Sequence, residues 1–162
     1  MPTIEITPYS PSFRNEVLDL ALRAWAPVFK HTCLEVPQFV YEAFYPNGWE
    51  TRQTSEILSL LDSDPQGIWL AIADGALAGF IGIKLHPEDQ MGEIHILAVS
   101  PAHQRQGIGG TLIIFAEDYI QQAGMKMVMV ETVADTGHAP ARHTYEAADY
   151  QPWPVARYFK QL

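Results

Sequence analysis

Hydrophobic and polar positions alternate or recur with different periods along this chain, and the changes of period mark its elements. Ile4 and Ile6 alternate with polar neighbours from Thr3 to Thr7, which predicts a short first strand. Ser10-Pro11 reads as an N-cap followed by proline at the first helical position, and Val17, Leu20, Ala21, Ala24 and Trp25 then recur at helical spacing up to Pro27, where the helix is expected to stop. The aromatic-rich stretch Val36 to Tyr45, between Pro37 and Pro46, predicts a second helix, and Thr51 to Leu61 a third, closed by Asp62-Ser63-Asp64-Pro65. Two apolar runs, Ile68 to Ala73 and Leu77 to His86, flank Asp74-Gly75, a strong hairpin signal. A third strand of this meander runs from Met91 to Val99. Leu112, Phe115, Ala116 and Tyr119 share one face of a helix over Gly110 to Ala123, ended by Gly124 at the C′ position. Lys126 to Thr132 predicts a buried strand, Ala139 to Ala148 a short helix and Val155 to Lys160 a last strand.

The order is strand, helices, three strands, helix, strand, helix, strand. A meander that feeds one strand–helix–strand crossover requires a mixed, mostly antiparallel sheet, so the fold class is α/β (α+β). With 162 residues and no repeat or linker, one domain spanning residues 1–162 is expected. No apolar run reaches the roughly 18 residues of a membrane span. The opening residues show no basic and apolar signal segment, and the single Cys33 cannot form an internal disulfide. Together these lead to an expectation of a cytoplasmic protein. The net charge of −9 argues against nucleic acid as the main partner; it suits a cationic amine, or merely solubility.

Chemistry concentrates where Ile94–Val99 gives way to Ser100-Pro101, a polar loop and three glycines, Gly107, Gly109 and Gly110. A strand, a glycine-rich turn and a helix start point backbone N–H groups and the positive end of the helix dipole at one spot, which favours an anion. A P-loop is excluded because no lysine follows the glycines. A dinucleotide fingerprint is excluded because Leu112 stands at its third glycine. An ordinary tight turn remains the plain alternative. Gln104-Arg105-Gln106-Gly107-Ile108-Gly109 resembles Gln/Arg-x-x-Gly-x-Gly/Ala, the acyl-CoA pyrophosphate loop of the GNAT superfamily of N-acetyltransferases.

A second stretch strengthens that resemblance. His138 to Tyr150 is similar to the family's Asn-x-x-Ala-x-x-Leu-Tyr-Glu-x-x-Gly-Phe. Ala141, Tyr145 and Glu146 match it, whereas His138 replaces Asn and Asp149-Tyr150 replaces Gly-Phe. The order of elements also resembles that fold, whose sheet splays between the strands equivalent here to Met91–Val99 and Lys126–Thr132. The resemblance implies acetyl-CoA as cosubstrate, held by the loop Gln104, Arg105, Gln106, Gly107, Ile108, Gly109, Gly110 and Thr111, by the backbone of Leu97, Ala98 and Val99, and by His138. It implies no metal.

Acetyl transfer to nitrogen needs a neutral amine, and at an ordinary pKa of about 10.4 only roughly one amine in a thousand is neutral near pH 7.4, so a proton acceptor is required. The departing thiolate then needs a proton, and Tyr145 sits where the family places that acid. Plain strand alternation puts Glu93, His95, Leu97 and Val99 on one face, with Ile94, Ile96 and Ala98 opposite. Glu93, His95 or ordered water is then the base; a solvent-facing glutamate and a half-buried histidine are the plain alternatives. Among the aromatics of residues 25–49, Trp25, Phe29 and Tyr41 are candidate walls of an acceptor pocket, with core packing or a dimer contact as the competing explanation. The histidines show no zinc spacing, and no Gly-x-Ser-x-Gly elbow occurs. The expected function is acetyl transfer to a primary amine of a small molecule. A protein or peptide N-acetyltransferase and a non-catalytic acyl-CoA sensor are the alternatives, and a homodimer is an allowed assembly.

Overall fold

The computed structural model describes residues 2–162. Its sheet contains five strands in sequential order: β1 (Ile4–Pro8), β2 (Ile68–Ala73), β3 (Ala76–His86), β4 (Met91–Val99) and β5 (Met127–Val130). The first four pair antiparallel; β4 and β5 pair parallel. The helices are α1 (Arg14–Glu35), α2 (Gln38–Phe44), α3 (Trp49–Ser63), α4 (Ile108–Gln122) and α5 (Ala139–Ala147).

Three layers result, because both faces of the sheet are apolar and each needs a cover. On one face Ile81, Ile83 and Ile94 meet Ile108, Leu112, Ala116 and Ile120 of α4. On the other Leu70, Phe80 and Ala98 meet Val17, Leu20 and Ala21 of α1 and Ile57 and Leu61 of α3. The predicted face of α4 is buried as expected, with Phe115 and Tyr119 packed around Trp69 at ring separations of 4.7 and 5.9 Å. Gly92 makes the α4 layer possible: a Cβ there would lie 2.4 Å from Ile120.

Three expectations are corrected. Helix α1 does not stop at Pro27 but runs on to Glu35. The proline removes one hydrogen bond, yet the second half is held from outside the helix. Phe29 is buried and stacked on Trp49 (4.5 Å, 8°), and the Thr32 hydroxyl donates to Asp135 at 3.1 Å. Next, the alternation of β4 breaks at His95. Gly82 pairs with Ile96 and Ile83 with Ile94, so His95 is an extra residue, a β-bulge. Ile94, Leu97 and Val99 therefore share the α4 face while Ile96 and Ala98 face α1 and α3. Glu93, next to Ile94, does not share a face with Leu97 and Val99. Finally, residues 151–162 form no strand: Val155–Lys160 is exposed and belongs to no strand of the sheet. The splay is present, since pairing of β4 with β5 ends at Ile94 and Val130 while β4 continues to Val99.

Candidate functional site

Where β4 and β5 part, a cleft of about 970 Å³ opens. It runs from the turn before α4, along β4, to α5 and the α1 helix. Its first wall is the glycine turn. Gly107 caps α4 with φ +82°, and Arg105 also adopts a left-handed conformation at φ +63°. Alternating hands of this kind turn successive N–H groups inward, forming a nest at the helix N-terminus. A Cβ on Gly107 would meet nothing within 4 Å, so glycine is required by its φ and not by space. Gly109 also has room, with only a Val99 methyl at 3.8 Å. Gly107→Ala is therefore expected to cost about 1–2 kcal/mol, and Gly109→Ala to stay within about 0.5 kcal/mol. Paired urea midpoints check both.

Most residues that the sequence singled out line this cleft: Gln104, Arg105, Gly107, Ile108, Gly109 and Gly110 at the turn, Leu97, Ala98 and Val99 on β4, and Tyr145 and His138 at α5. Trp25 and Phe29 of α1 and His95 line it as well. Four do not. Gln106 instead donates to the Ala102 carbonyl (3.2 Å) and Thr111 to the Gly107 carbonyl (3.0 Å), both local bonds that brace the turn. Tyr41 packs on Tyr45 (4.9 Å) behind Phe29, and Glu93 lies one residue back from the cleft.

Glu93 is joined to the cleft through His95. Its carboxylate accepts from His95 Nδ1 (3.1 Å) and from His86 Nε2 (2.6 Å). Burial alone would push the Glu93 carboxyl up, but the two imidazoles outweigh it and hold it below the ordinary range. An ionised carboxylate only accepts, so both nitrogens facing it carry protons. In neutral His95 that leaves Nε2 as the free lone pair. The bulge places His95 on the cleft wall, and Glu93 fixes its tautomer.

Tyr145 packs against Tyr150 (ring centroids 5.9 Å) and the α4 cluster, and burial raises its phenol above the ordinary value. The proton is thus present at neutral pH, at some cost in acidity.

His138 is tied down. Asp135 accepts from the His138 backbone N–H (3.0 Å), from His138 Nδ1 (2.5 Å) and from the Thr32 hydroxyl (3.1 Å), while Arg142 donates to the Val133 and Asp135 carbonyls (2.6 and 2.8 Å). This clamps the cleft-lining loop 133–138 to α1 and α5. Burial opposes ionisation of Asp135, but the His138 and Thr32 bonds prevail and lower its pKa. A lowered folded-state value stabilises the fold fully above about pH 4, and the stabilisation fades as pH falls through the lowered value. Acid titrations of unfolding free energy should therefore be flatter below pH 4 for Asp135→Asn than for the parent protein.

Sequence reasoning missed His103 and Glu131, which also line the cleft. The buried His103 Nδ1 has no hydrogen-bond partner among the described residues, as suits a donor or acceptor awaiting a polar ligand beside the glycine turn. Its place just before the Gln104–Gly109 motif was the available signal. For the bulge, the signal was glycine inside an apolar strand: a Cβ on Gly82 would lie 2.5 Å from Ile96. Among the described residues no group of three or more His, Cys, Asp or Glu side chains could hold a metal, and no helix is long and apolar enough to cross a membrane.

Comparison with known proteins adds to the geometry. The model of the acetyltransferase (GNAT) family matches residues 34–150. Mycothiol acetyltransferase of Thermomonospora curvata is 34% identical over 92 residues, covering 57% of this chain and 30% of that protein. The mycothiol acetyltransferase of Tsukamurella paurometabola is 31% identical over 137 residues, covering 78% and 46%. The chain thus spans less than half the length of these curated relatives. In backbone, aminoglycoside N-acetyltransferase AAC(6')-Iy in complex with CoA superposes with a TM-score of 0.63 at 12% identity, covering 99% of this chain and 96% of that one. A GNAT-family acetyltransferase of Staphylococcus aureus gives 0.65 at 15% identity, covering 90% and 83%. At these identities the structural likeness speaks for the fold.

Proposed function

The chain belongs to the acetyltransferase (GNAT) family, and from that premise we propose that it moves an acetyl group from acetyl-CoA to a primary amine of a small molecule by direct attack on the thioester. The observation that carries this reading is the continuity of one cleft, from the nest at Gly107 along the open edge of β4 to Tyr145 and His95. That cleft fits a long ligand with an anionic end. The amides of Gly107–Gly110 and the Arg105 guanidinium offer donors to the pyrophosphate, and the unpartnered His103 Nδ1 lies beside them. Beyond Ile94, β4 has no strand beside it on the β5 side, so Leu97 and Val99 present backbone to a pantetheine arm as a strand would.

Acetyl-CoA supplies the activated acyl group; the chain supplies position and protons. The amine nitrogen forms a bond to the thioester carbon as the carbon–sulfur bond breaks. His95 Nε2 takes the proton that the amine must lose, directly or through water. Glu93 positions the imidazole and stabilises it when charged, the part a carboxylate plays beside a catalytic histidine. Tyr145 gives its phenolic proton to the departing thiolate. His95→Gln, which keeps a donor toward Glu93 but has no basic nitrogen, is expected to lower kcat about tenfold, below the roughly 100-fold or more of a full general-base effect because water can substitute. Initial rates at saturating acetyl-CoA measure this.

The acceptor side is walled by Trp25 and Phe29, with Glu131 supplying negative charge toward a cation; Glu56 also lines it but is paired with Arg52 at 2.8 Å. Curated relatives named for mycothiol and a structural neighbour named for aminoglycosides point the same way, toward a small polar amine. The deciding experiment is release of CoA thiol from acetyl-CoA against polyamines, aminoglycosides, aminosugar glycosides, amino acids and short peptides. Turnover confined to small amines supports the reading. Turnover with peptides alone replaces it with peptide acetylation, and acetyl-CoA binding without any turnover favours a sensor.

A further inference from the structure

Glu93 owes its place beside the cleft base to a second imidazole. In the β3–β4 ladder His86 stands opposite Met91 and Lys84 opposite Glu93, so Lys84, His86 and Glu93 share one face of the sheet, with His86 diagonal to Glu93. The diagonal is short enough for contact. His86 Nε2 donates to Glu93 Oε2 at 2.6 Å, while His95 Nδ1 donates to Glu93 Oε1 at 3.1 Å. Each imidazole takes its own oxygen, and among the described residues the carboxylate has no other hydrogen-bond partner. With its side chain only 17% exposed, Glu93 has little water to replace a lost one. The shorter bond comes from the residue that does not line the cleft: His86 borders a separate hollow of about 400 Å³, together with Asp64, Lys84 and Tyr119. On that outer side Glu88 stands 3.7 Å from His86 Nδ1, beyond hydrogen-bond reach.

We propose that His86 is a positioning residue for the base: by holding Glu93 Oε2 it aims Oε1 at His95 Nδ1, and so keeps the His95 lone pair on Nε2, toward the cleft. This role rests on His95 being the proton acceptor. The bulge makes such support necessary. His95 has no Cα partner on β3 or β5, so no cross-strand neighbour of its own fixes the ring. Its orientation depends on Glu93, and Glu93 in turn has a flexible side chain that one 3.1 Å bond to a partly exposed ring does not hold. Without His86 the carboxylate has a competing claimant in Lys84, its direct partner across the ladder, a compact cation on a long flexible stem. A carboxylate drawn to Lys84 leaves His95 Nδ1 without an acceptor. The imidazole is then free to carry its proton on Nε2, and in that tautomer it presents no lone pair to an amine in the cleft. His86 prevents this by tying down the other oxygen.

Nitrogen-15 NMR of histidine-labelled protein without substrate reads the tautomer directly at about pH 9, where ordinary imidazoles are neutral. The His95 signals are those missing from His95→Gln, and the spectra require no acceptor amine. In the parent protein His95 Nδ1 should be protonated and Nε2 bare. His86→Leu should shift His95 toward the Nε2–H form. His86→Gln, whose amide still donates to Glu93, should restore the parent pattern, and so should Lys84→Met added to His86→Leu. In turnover His86→Leu should lower kcat about fivefold, less than the loss of the base itself, and leave the KM for acetyl-CoA unchanged. In a His95→Gln background it should lower kcat no further, because residues that act through one another are not additive. Parent-like His95 signals in His86→Leu overturn the proposal and leave His95 as the base. A parent protein with the His95 proton already on Nε2 overturns both. Equal losses of kcat from His86→Leu with and without His95 overturn the positioning role as well, since His86 would then serve the fold alone.

Discussion

Tyr145→Phe should lower kcat about 100-fold while changing acetyl-CoA affinity by no more than about twofold, the size expected when one positioned proton donor is lost and water replaces it poorly. The ring of Tyr145 packs against Tyr150 and the α4 cluster, and phenylalanine keeps that contact. Stability therefore should not fall with activity. What disappears is a proton that burial holds on the oxygen at neutral pH. Steady-state rates on an accepted amine, calorimetric acetyl-CoA binding and a melting curve separate the possibilities. An unchanged kcat removes Tyr145 from the chemistry. A large loss of melting temperature with the activity would mean that the hydroxyl serves structure. Because the raised phenol is a weak acid, the loss should be smaller for acyl donors whose leaving thiolate is more stable, as Brønsted behaviour requires.

The largest expected effect on stability lies away from the cleft chemistry. Gly92→Val should cost about 3 kcal/mol, lowering the melting temperature by roughly 6–12 °C for a domain of this size. Gly92 pairs with Val128 of β5 and faces Ile120, whose side-chain carbons would stand 2.4–2.5 Å from an added Cβ. Ile120 is buried and surrounded, so it has nowhere to turn, and α4 must move off the sheet. Since the N-terminus of α4 forms the cleft's anion nest, acetyl-CoA binding should weaken in the same variant. Gly92→Val combined with Ile120→Ala should recover part of the lost stability, because the substituted helix leaves room for the new side chain. If the double substitution is no more stable than Gly92→Val alone, the close contact is not the cause.

Much of this was readable from residues. The glycine turn, the meander and the Tyr145 motif each rest on local chemistry: a left-handed φ at Gly107, an Asp-Gly hairpin, an aromatic on a short helix. What escaped depends on partners far along the chain. Pro27 is a helix breaker by its own chemistry, and only burial of Phe29 and the clamp between Thr32 and Asp135 carry α1 past it. The bulge at His95 is set by the register of β4 on β3, which the alternation of β4 alone cannot reveal. Tyr41 looked like a pocket wall because aromatics cluster there, but Phe29 and Tyr45 stand between it and the cleft, their rings 5.3 Å apart. Residues 155–160 have strand composition but no neighbour within the chain to pair with.

The extra residue in β4 has a consequence for how this strand can change over time. Before it, odd-numbered positions meet the proton chemistry and even-numbered ones meet α4; after it, the parity is reversed. The two halves are thus read in different frames. Loss of the single residue His95 would bring Ile94 and Ile96 together opposite Ile83 and Gly82, restoring a regular ladder that keeps Leu97 and Val99 in the α4 layer; only the imidazole on the cleft wall would be lost. Descent from an ancestor without the bulge would leave a one-residue gap at this point, so an alignment that forces His95 against a neighbour mistakes an insertion for a substitution. The position is better compared by the hydrogen bond it makes to Glu93 than by its count along the chain.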